Sequence, residues 1–376
     1  MTTSPDNPPV ARIGSPGELA LIIPELLGYW PTESLTVISL GEPRGRVGLV
    51  QRIDLPPRGS GLSPADADAV LHRVVHDGGT RAVVVVWTEE PDRRAALPRA
   101  ALVEALGDAA LRAGVELIEA ILVRGGRWWC YTCTSCPADG APLAASAGAE
   151  SVSLVAVERA VAGRAVFGSR DELARSLAPA LPCSEDDWLD QLGAAAERML
   201  VALLEDPPAW RLAMLERYRA AMDAWADPRQ EPDHSELCDL VVSLSDIRLR
   251  DCVLAEVLTD RAALQHLLEQ LCRRALPPFD APVCALLAWV CHVRGDGTLA
   301  AIAAERALAD DELYSAAHLV LDALESAIPP ELMRTSIERC QAETYRAAGL
   351  DATGRGISAA VSAEGPAGRR SRSRAR

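Results

Sequence analysis

Apolar positions along the first part of the chain change period several times, and each change marks an element. Leu19, Ile22, Ile23, Leu26 and Leu27 recur at helical spacing. They follow Ser15, which has proline next to it and Glu18 three residues on, the pattern of a helix N-cap. The spacing predicts a helix kinked at Pro24 and ended by Gly28. Pro31 then forces Trp30 into extended backbone. SLTVISL alternates as far as Gly41, and GRVGLVQRID returns after GEPRG, which predicts a β-hairpin. Ser63 with Asp66 opens a second helix to about Asp77, and RAVVVVW is a β-branched run suited to a strand buried on both faces. A helix from Arg94 to Ala113 stops at Gly114 and leads into VELIEAILV, which Gly125-Gly126 joins to a strand RWWCYTC. A further helix is expected near 152–163. Helical crossovers between the middle strands favour parallel pairing, so this half reads as an α/β domain: a mixed sheet of about five strands with packed helices.

From Ser169, itself an N-cap with Glu172, strand signals cease, and every later segment carries helical spacing broken by Pro-Pro or Asp-Pro pairs. The expected division is therefore a disordered 1–14, an α/β domain over 15–165, a helical domain over 166–348, and a disordered arginine-rich tail over 349–376. Within the helical part, 283–320 has the form of one tetratricopeptide-like helix pair. Ala288, Ala300 and Ala307 would permit close approach, Leu287 would fill between, and Gly295-Asp296 would turn the chain. Glu312 stands where such units usually place proline, and one unit needs neighbours to bury its faces.

Composition narrows the functions. The 376 residues are 49% hydrophobic, enough for two cores. The net charge of −15 repels phosphate backbones, so neither general nucleic-acid binding nor an anionic membrane surface is expected. The exception is the end, where arginines crowd from Arg369 to Arg376 after a run too poor in apolar residues to form a core. The opening MTTSPDNPPV lacks the features of a secretory signal, and the longest apolar runs fall well short of the roughly 18 residues of a membrane span. A cytoplasmic protein with reduced cysteines is the expectation. There is no lysine. Arginine cannot be deprotonated, so Schiff-base chemistry, Walker-A nucleotide hydrolysis and kinase-type phosphoryl transfer all lack their required residue.

LLGYWPTESLTVISL, GRVGLVQRIDLP, GRWWCYTCTSCPADGAPL, GSRDELARSLAP, LRDCVL and LLAWVCHVRGDGTLAAIAAERAL occur in that order. Together they resemble the actinobacterial domain-of-unknown-function family 4192, from about residue 15 to 320. The resemblance implies an actinobacterial source and a motif LLG-x-x-P-x-x-SL, matched by Gly28, Pro31 and Ser34. It brings no activity with it. It also implies a cysteine followed later by a Cys-Cys-Pro run; this chain departs, with Cys133 and then a single Cys136 before Pro137.

Among candidate sites, Cys130, Cys133 and Cys136 are the most chemically suggestive. If RWWCYTC is a strand, Cys130 and Cys133 point to opposite faces, leaving Cys133 and Cys136 as the pair that could hold zinc or work as a redox dithiol. His72 and His76 fall on the solvent side of their helix. GDGTLA, Gly295 to Ala300, matches a dinucleotide fingerprint but lies between helices, so no cofactor is expected there. Asp54, Glu89 and Glu90 sit at predicted strand ends, where ligands of α/β sheets bind; with Arg52 or Ser34 facing them they could hold Mg²⁺ or act as acid and base. His234, His266, His292 and His318 read as surface or capping residues. The corner at Gly28, Trp30 and Pro31 reads as structural, with Tyr29 and Trp30 offering an apolar contact to a partner. The leading functional expectation is a non-catalytic, regulatory protein that binds a protein partner through its helical domain. The alternative is a metal-assisted hydrolase using Asp54 with Glu89 or Glu90.

Overall fold

The computed structural model describes residues 14–41, 46–92, 96–133, 136–143, 165–224 and 233–356. The helix expected at 152–163, the segment 1–13 and the arginines from Arg369 to Arg376 lie outside them. The chain forms an N-terminal mixed sheet with packed helices followed by a region with helices alone.

The strands are β1 (Ser34–Gly41), β2 (Arg46–Asp54), β3 (Arg81–Trp87), β4 (Glu116–Arg124), β5 (Arg127–Cys130) and β6 (Ala141–Pro142). Their order is β2-β1-β3-β4-β5-β6, six where about five were expected, because the short β6 adds itself to the far edge. Among the six strands, β3 and β4 are the one pair of neighbours that bond in parallel. They are joined through helix α3 (Ala100–Ala113), which stops at Gly114 in left-handed backbone. The other crossover, through α2 (Pro64–His76), also leads to a parallel strand, but β1 has slipped between β2 and β3 and pairs antiparallel with both. That central position overturns one expectation. β1 does not alternate; its residues from Ser34 to Leu40 are all buried, Ser34, Thr36 and Ser39 included, since neighbours flank it on both edges.

Local signals placed the helix starts. Ser15, Ser63 and Ser169 each accept a hydrogen bond from the backbone N–H three residues on, opening α1 (Pro16–Leu27), α2 and α4 (Arg170–Ser176). α3 begins later than the predicted Arg94, at Ala100, because Arg99 is held at φ 64° and cannot be helical. α2 and α3 bury Val70, Leu71, Val74, Leu102 and Leu106 against one sheet face made by Leu35, Val37, Val84, Val86, Leu122 and Trp129. Fully burying one such aliphatic side chain contributes about 1.5–3 kcal/mol.

The remaining helices are α5 (Glu185–Glu205), α6 (Pro207–Ala224), α7 (His234–Ser243), α8 (Ile247–Ala255), α9 (Arg261–Cys272), α10 (Asp280–Val293), α11 (Gly297–Asp310), α12 (Ser315–Glu325) and α13 (Pro330–Ala347). The change from sheet to helix falls where the sequence places it, but compactness is partitioned differently. One compact unit takes the chain up to Ala180 together with Cys284–Met333; the other takes Leu181–Val283 and the chain from Arg334. In the first unit α10, from Cys284 on, and α11 follow one another across the expected turn, with Gly295 at φ 79° and Asp296 capping Leu299 N–H. Leu287, Ala288, Ala300 and Ala307 are all buried there. So is His292, against the expectation of a surface residue; it lies on the helix side that carries Ala288 and Cys291 into the interior.

The second unit is organised around buried polar ties. Trp188 Nε1 donates to Arg274 O at 2.7 Å, and the buried Tyr218 hydroxyl donates to Leu240 O at 2.5 Å. Arg211 grips Asp246 through two 2.9 Å hydrogen bonds. Buried Glu256 accepts from Arg219 at 2.7 Å and from the Tyr345 hydroxyl at 2.9 Å. The expected disordered tail begins too early at 349: Leu350 is buried, Arg219 also donates to Gly354 O at 3.0 Å, and Asp351 closes a turn on Thr353 and Arg355.

Candidate functional site

The sequence motif Gly28-x-x-Pro31-x-x-Ser34 stands at one end of the sheet. Gly28 takes φ 83° to end α1, and the chain then makes a short parallel bridge between Tyr29 and Phe167. Phe167 N–H donates to Gly28 O and Trp30 N–H to Phe167 O, both at 2.9 Å. The backbone of this corner is thus bonded to the chain itself at Phe167. Trp30, still 40% exposed, meets Trp87 edge to face at 6.5 Å. Trp87 Nε1 in turn donates to the buried Thr36 hydroxyl at 3.1 Å. Burial raises the pKa of the Tyr29 hydroxyl, opposed by the charges of Arg52 and Arg170.

Ser34 is paired in register with Asp54 on one side and Trp87 on the other, so the motif serine and the β2 acid do share a row. They do not share chemistry. Ser34 Oγ is buried without a partner, whereas Asp54 faces solvent and is held by Arg52 at 2.6 Å. Glu89 and Glu90 follow β3 and turn elsewhere. Glu89 Oε1 accepts from Gly125 N–H at 3.1 Å, fastening the β3 end to the β4–β5 hairpin. Glu90 is buried and bonded by Arg99 at 2.6 Å, with Arg58 at 3.3 Å. Its carbonyl accepts from Arg124 at 2.6 Å, and Arg124 also reaches Asp92 and lies over the Trp129 ring. Glu90 therefore meets buried positive charge and Glu89 clasps a loop, while Asp54 makes a solvent-facing pair within its own strand. Among the described residues no group of three or more His, Cys, Asp or Glu side chains is arranged to hold a metal ion.

Two further residues are central to this end: Glu33, which from the sequence can bond exposed backbone at the corner, and Arg99, which sequence reasoning missed. Glu33, at φ 40°, sends its carboxylate across to Thr88 Oγ1 and Glu89 N–H at 2.9–3.0 Å, tying the corner to the β3 exit. Arg99 bonds Pro56 O at 2.9 Å as well as Glu90. Glu33 bonds backbone as its place at the corner suggests, but it reaches the β3 exit and not the corner's own backbone. For the arginines a usable signal existed: in a chain without lysine, Arg58, Arg99 and Arg124 bracket an acidic loop.

The cysteine hairpin departs from its expected geometry. β5 ends at Cys130, so the opposite-face argument does not apply. Instead the chain turns, and Cys133 N–H donates back to Cys130 Sγ at 3.2 Å. Cys130 is buried and donates to Glu119 at 2.9 Å; burial, reinforced by that carboxylate, pushes its thiol up to about 11. Cys133 and Cys136 lie with sulfurs 2.9 Å apart, Cys133 exposed and Cys136 half-buried. Burial and the bond with Cys133 raise the Cys136 thiol. His72 and His76 are exposed, as expected, and stack on each other beside a surface groove far in sequence from the cysteines. Gly295 to Ala300 joins two helices, as the sequence requires, with no strand before it.

No helix among the described residues is long and apolar enough to cross a membrane. No curated protein and no solved structure matches the chain. The profile of one family does match, over residues 16–331 and with the corner, the cysteine hairpin and the α10–α11 pair inside that span. The chain accordingly belongs to the family described as Domain of unknown function (DUF4192).

Proposed function

We propose that the protein works by binding another protein, and that the exposed face of α5 is the docking surface. The observation that carries this reading is a second apolar stripe on that helix. Its first stripe, Trp188, Leu192 and Ala195, is buried in its own unit. At about 100° per residue, Leu189, Gly193, Leu200 and Leu204 fall within roughly 60° of one another on a different face. Leu200, Val201 and Leu204 are 57%, 56% and 87% exposed. Leaving apolar area of this kind in water is unfavourable, and contiguous patches of it mark interaction sites. Asp186, Asp190 and Glu197 run exposed along one flank. The surface thus fits an amphipathic helix whose apolar anchors are bordered by arginine or lysine. We also read the α10–α11 pair as tetratricopeptide-like, which would make the helical region an interaction scaffold throughout. The hydrolytic alternative loses support, because Asp54, Glu89 and Glu90 are each engaged with separate partners.

The test uses a synthetic amphipathic peptide with leucines at i, i+3, i+4 and i+7 and a basic flank, titrated by fluorescence anisotropy against the full chain. Saturable binding that weakens with salt, and falls at least tenfold in Leu200→Ser/Leu204→Ser without a change in thermal stability, is expected. Equal binding by the variant would overturn the assignment. So would dimerisation of the unliganded chain, seen by sedimentation and abolished by the same substitutions.

A further inference from the structure

The geometry points to Cys133 and Cys136 as a redox-active dithiol that exchanges with small disulfides and closes to an intramolecular disulfide. Three observations, none involving α5, support it. The two sulfurs are 2.9 Å apart. Two thiolates on one tetrahedral zinc, each at about 2.3 Å, stand roughly 3.8 Å apart, so this pair is too close for shared metal ligation and approaches the bonded distance of about 2.05 Å. Second, accessibility divides the labour: Cys133 is exposed and can be reached by a solution disulfide, while Cys136 is half-buried against it. Third, the neighbouring thiol is withheld. Cys130 is buried, donates to Glu119 and accepts from Cys133 N–H, so the turn fixes Cys133 against its own hairpin while the third sulfur stays protonated.

The chemistry balances with a low-molecular-weight disulfide, RSSR, as oxidant. The Cys133 thiolate attacks one sulfur of RSSR, forming Cys133–S–S–R and expelling RS⁻. The Cys136 thiolate then attacks Cys133 Sγ, forming the Cys133–Cys136 bond and expelling the second RS⁻. Two electrons pass from the protein to RSSR, and the two thiol protons end on two molecules of RSH. The second step is intramolecular between sulfurs already in contact, which favours it over a second external attack. Closure converts a solvent-facing dithiol at the end of β5 into a covalent clasp on the loop leading to β6.

The experiment incubates the full chain, carrying Cys340→Ser to remove another exposed thiol, with oxidised glutathione, followed by alkylation and peptide mass mapping. The expected result is loss of two alkylatable thiols, a peptide linking Cys133 to Cys136, recovery on adding dithiothreitol, and Cys130 alkylated only after unfolding. Cys136→Ser should trap a mixed disulfide of glutathione on Cys133, and Cys133→Ser should slow thiol loss at Cys136 at least tenfold. Persistence of both thiols in the folded protein would overturn the proposal, as would a linkage of Cys133 to Cys130. A third contrary result is protection of Cys133 and Cys136 by one equivalent of zinc, reversed by chelator, which would make the pair a metal site instead.

Discussion

Replacing Glu90 by leucine tests whether the strand-end acids are structural counter-charges. Glu90 and Arg99 are each 7% exposed at the side chain and 2.6 Å apart, so both ions have left water. Removing the carboxylate leaves the guanidinium buried with the Pro56 carbonyl at 2.9 Å as its main remaining acceptor. Breaking one side of a buried pair costs about 3–5 kcal/mol. For a domain of this size, about 2–4 °C per kcal/mol converts that to a fall in Tm of roughly 6–20 °C. Removing both charges, in Glu90→Leu/Arg99→Met, should recover most of the loss, because the penalty comes from the orphaned ion and not from absent attraction. Scanning calorimetry of the two single variants and the double variant measures the coupling. A Glu90→Leu protein within about 1 kcal/mol of the parent would show the pair to be hydrated and refute the reasoning. A double variant no more stable than the worse single one would show that the two side chains do not depend on each other.

Two titrating groups yield further expectations. Burial lowers the pKa of His292 below its ordinary value, a backbone hydrogen bond at Ile328 opposing it, so the folded state favours the neutral ring. The unfolded chain then binds the proton more readily. The resulting stability is present above the unfolded pKa of about 6.5 and is lost as pH falls through the folded value. His292→Leu should flatten urea midpoints between pH 7 and 5, and an unchanged slope would refute this. Burial pushes the Asp246 carboxyl up, but the Arg211 bonds and Leu249 N–H outweigh it and hold the pKa below the usual range. That contribution is present above the unfolded value of about 3.9 and lost as pH falls through the folded one. Asp246→Asn should cost about 1.5–3 kcal/mol at neutral pH and make acid unfolding less steep; a variant whose acid midpoint matches the parent would contradict it.

Local chemistry was legible in the sequence wherever a few neighbouring residues decide the outcome. The serine caps at Ser15, Ser63 and Ser169, the stop at Gly28, the hairpin at Gly125-Gly126 and the loss of strand signals after Ser169 all came through. The cap at Ser184, with Asp187 three residues on, carried the same signal and could have been read alongside them. Each depends on backbone groups satisfied within one turn, which spacing alone reveals.

Tertiary structure decided what spacing could not carry. Whether β1 sits at an edge or in the centre depends on where α2 returns the chain, and that placement alone buried Ser34, Thr36 and Ser39. Asp54, Glu89 and Glu90 looked like one cluster because they end strands that follow one another in the chain, yet β1 lies between those strands and Arg52, Gly125 and Arg99 claim the acids separately. The burial of His292, the contact between the Cys133 and Cys136 sulfurs and the exposed second stripe of α5 are likewise properties of folded neighbours. Periodicity tells that a face is apolar; only the packed chain tells whether anything covers it, because burial and ion pairing are set by atoms brought together from distant positions.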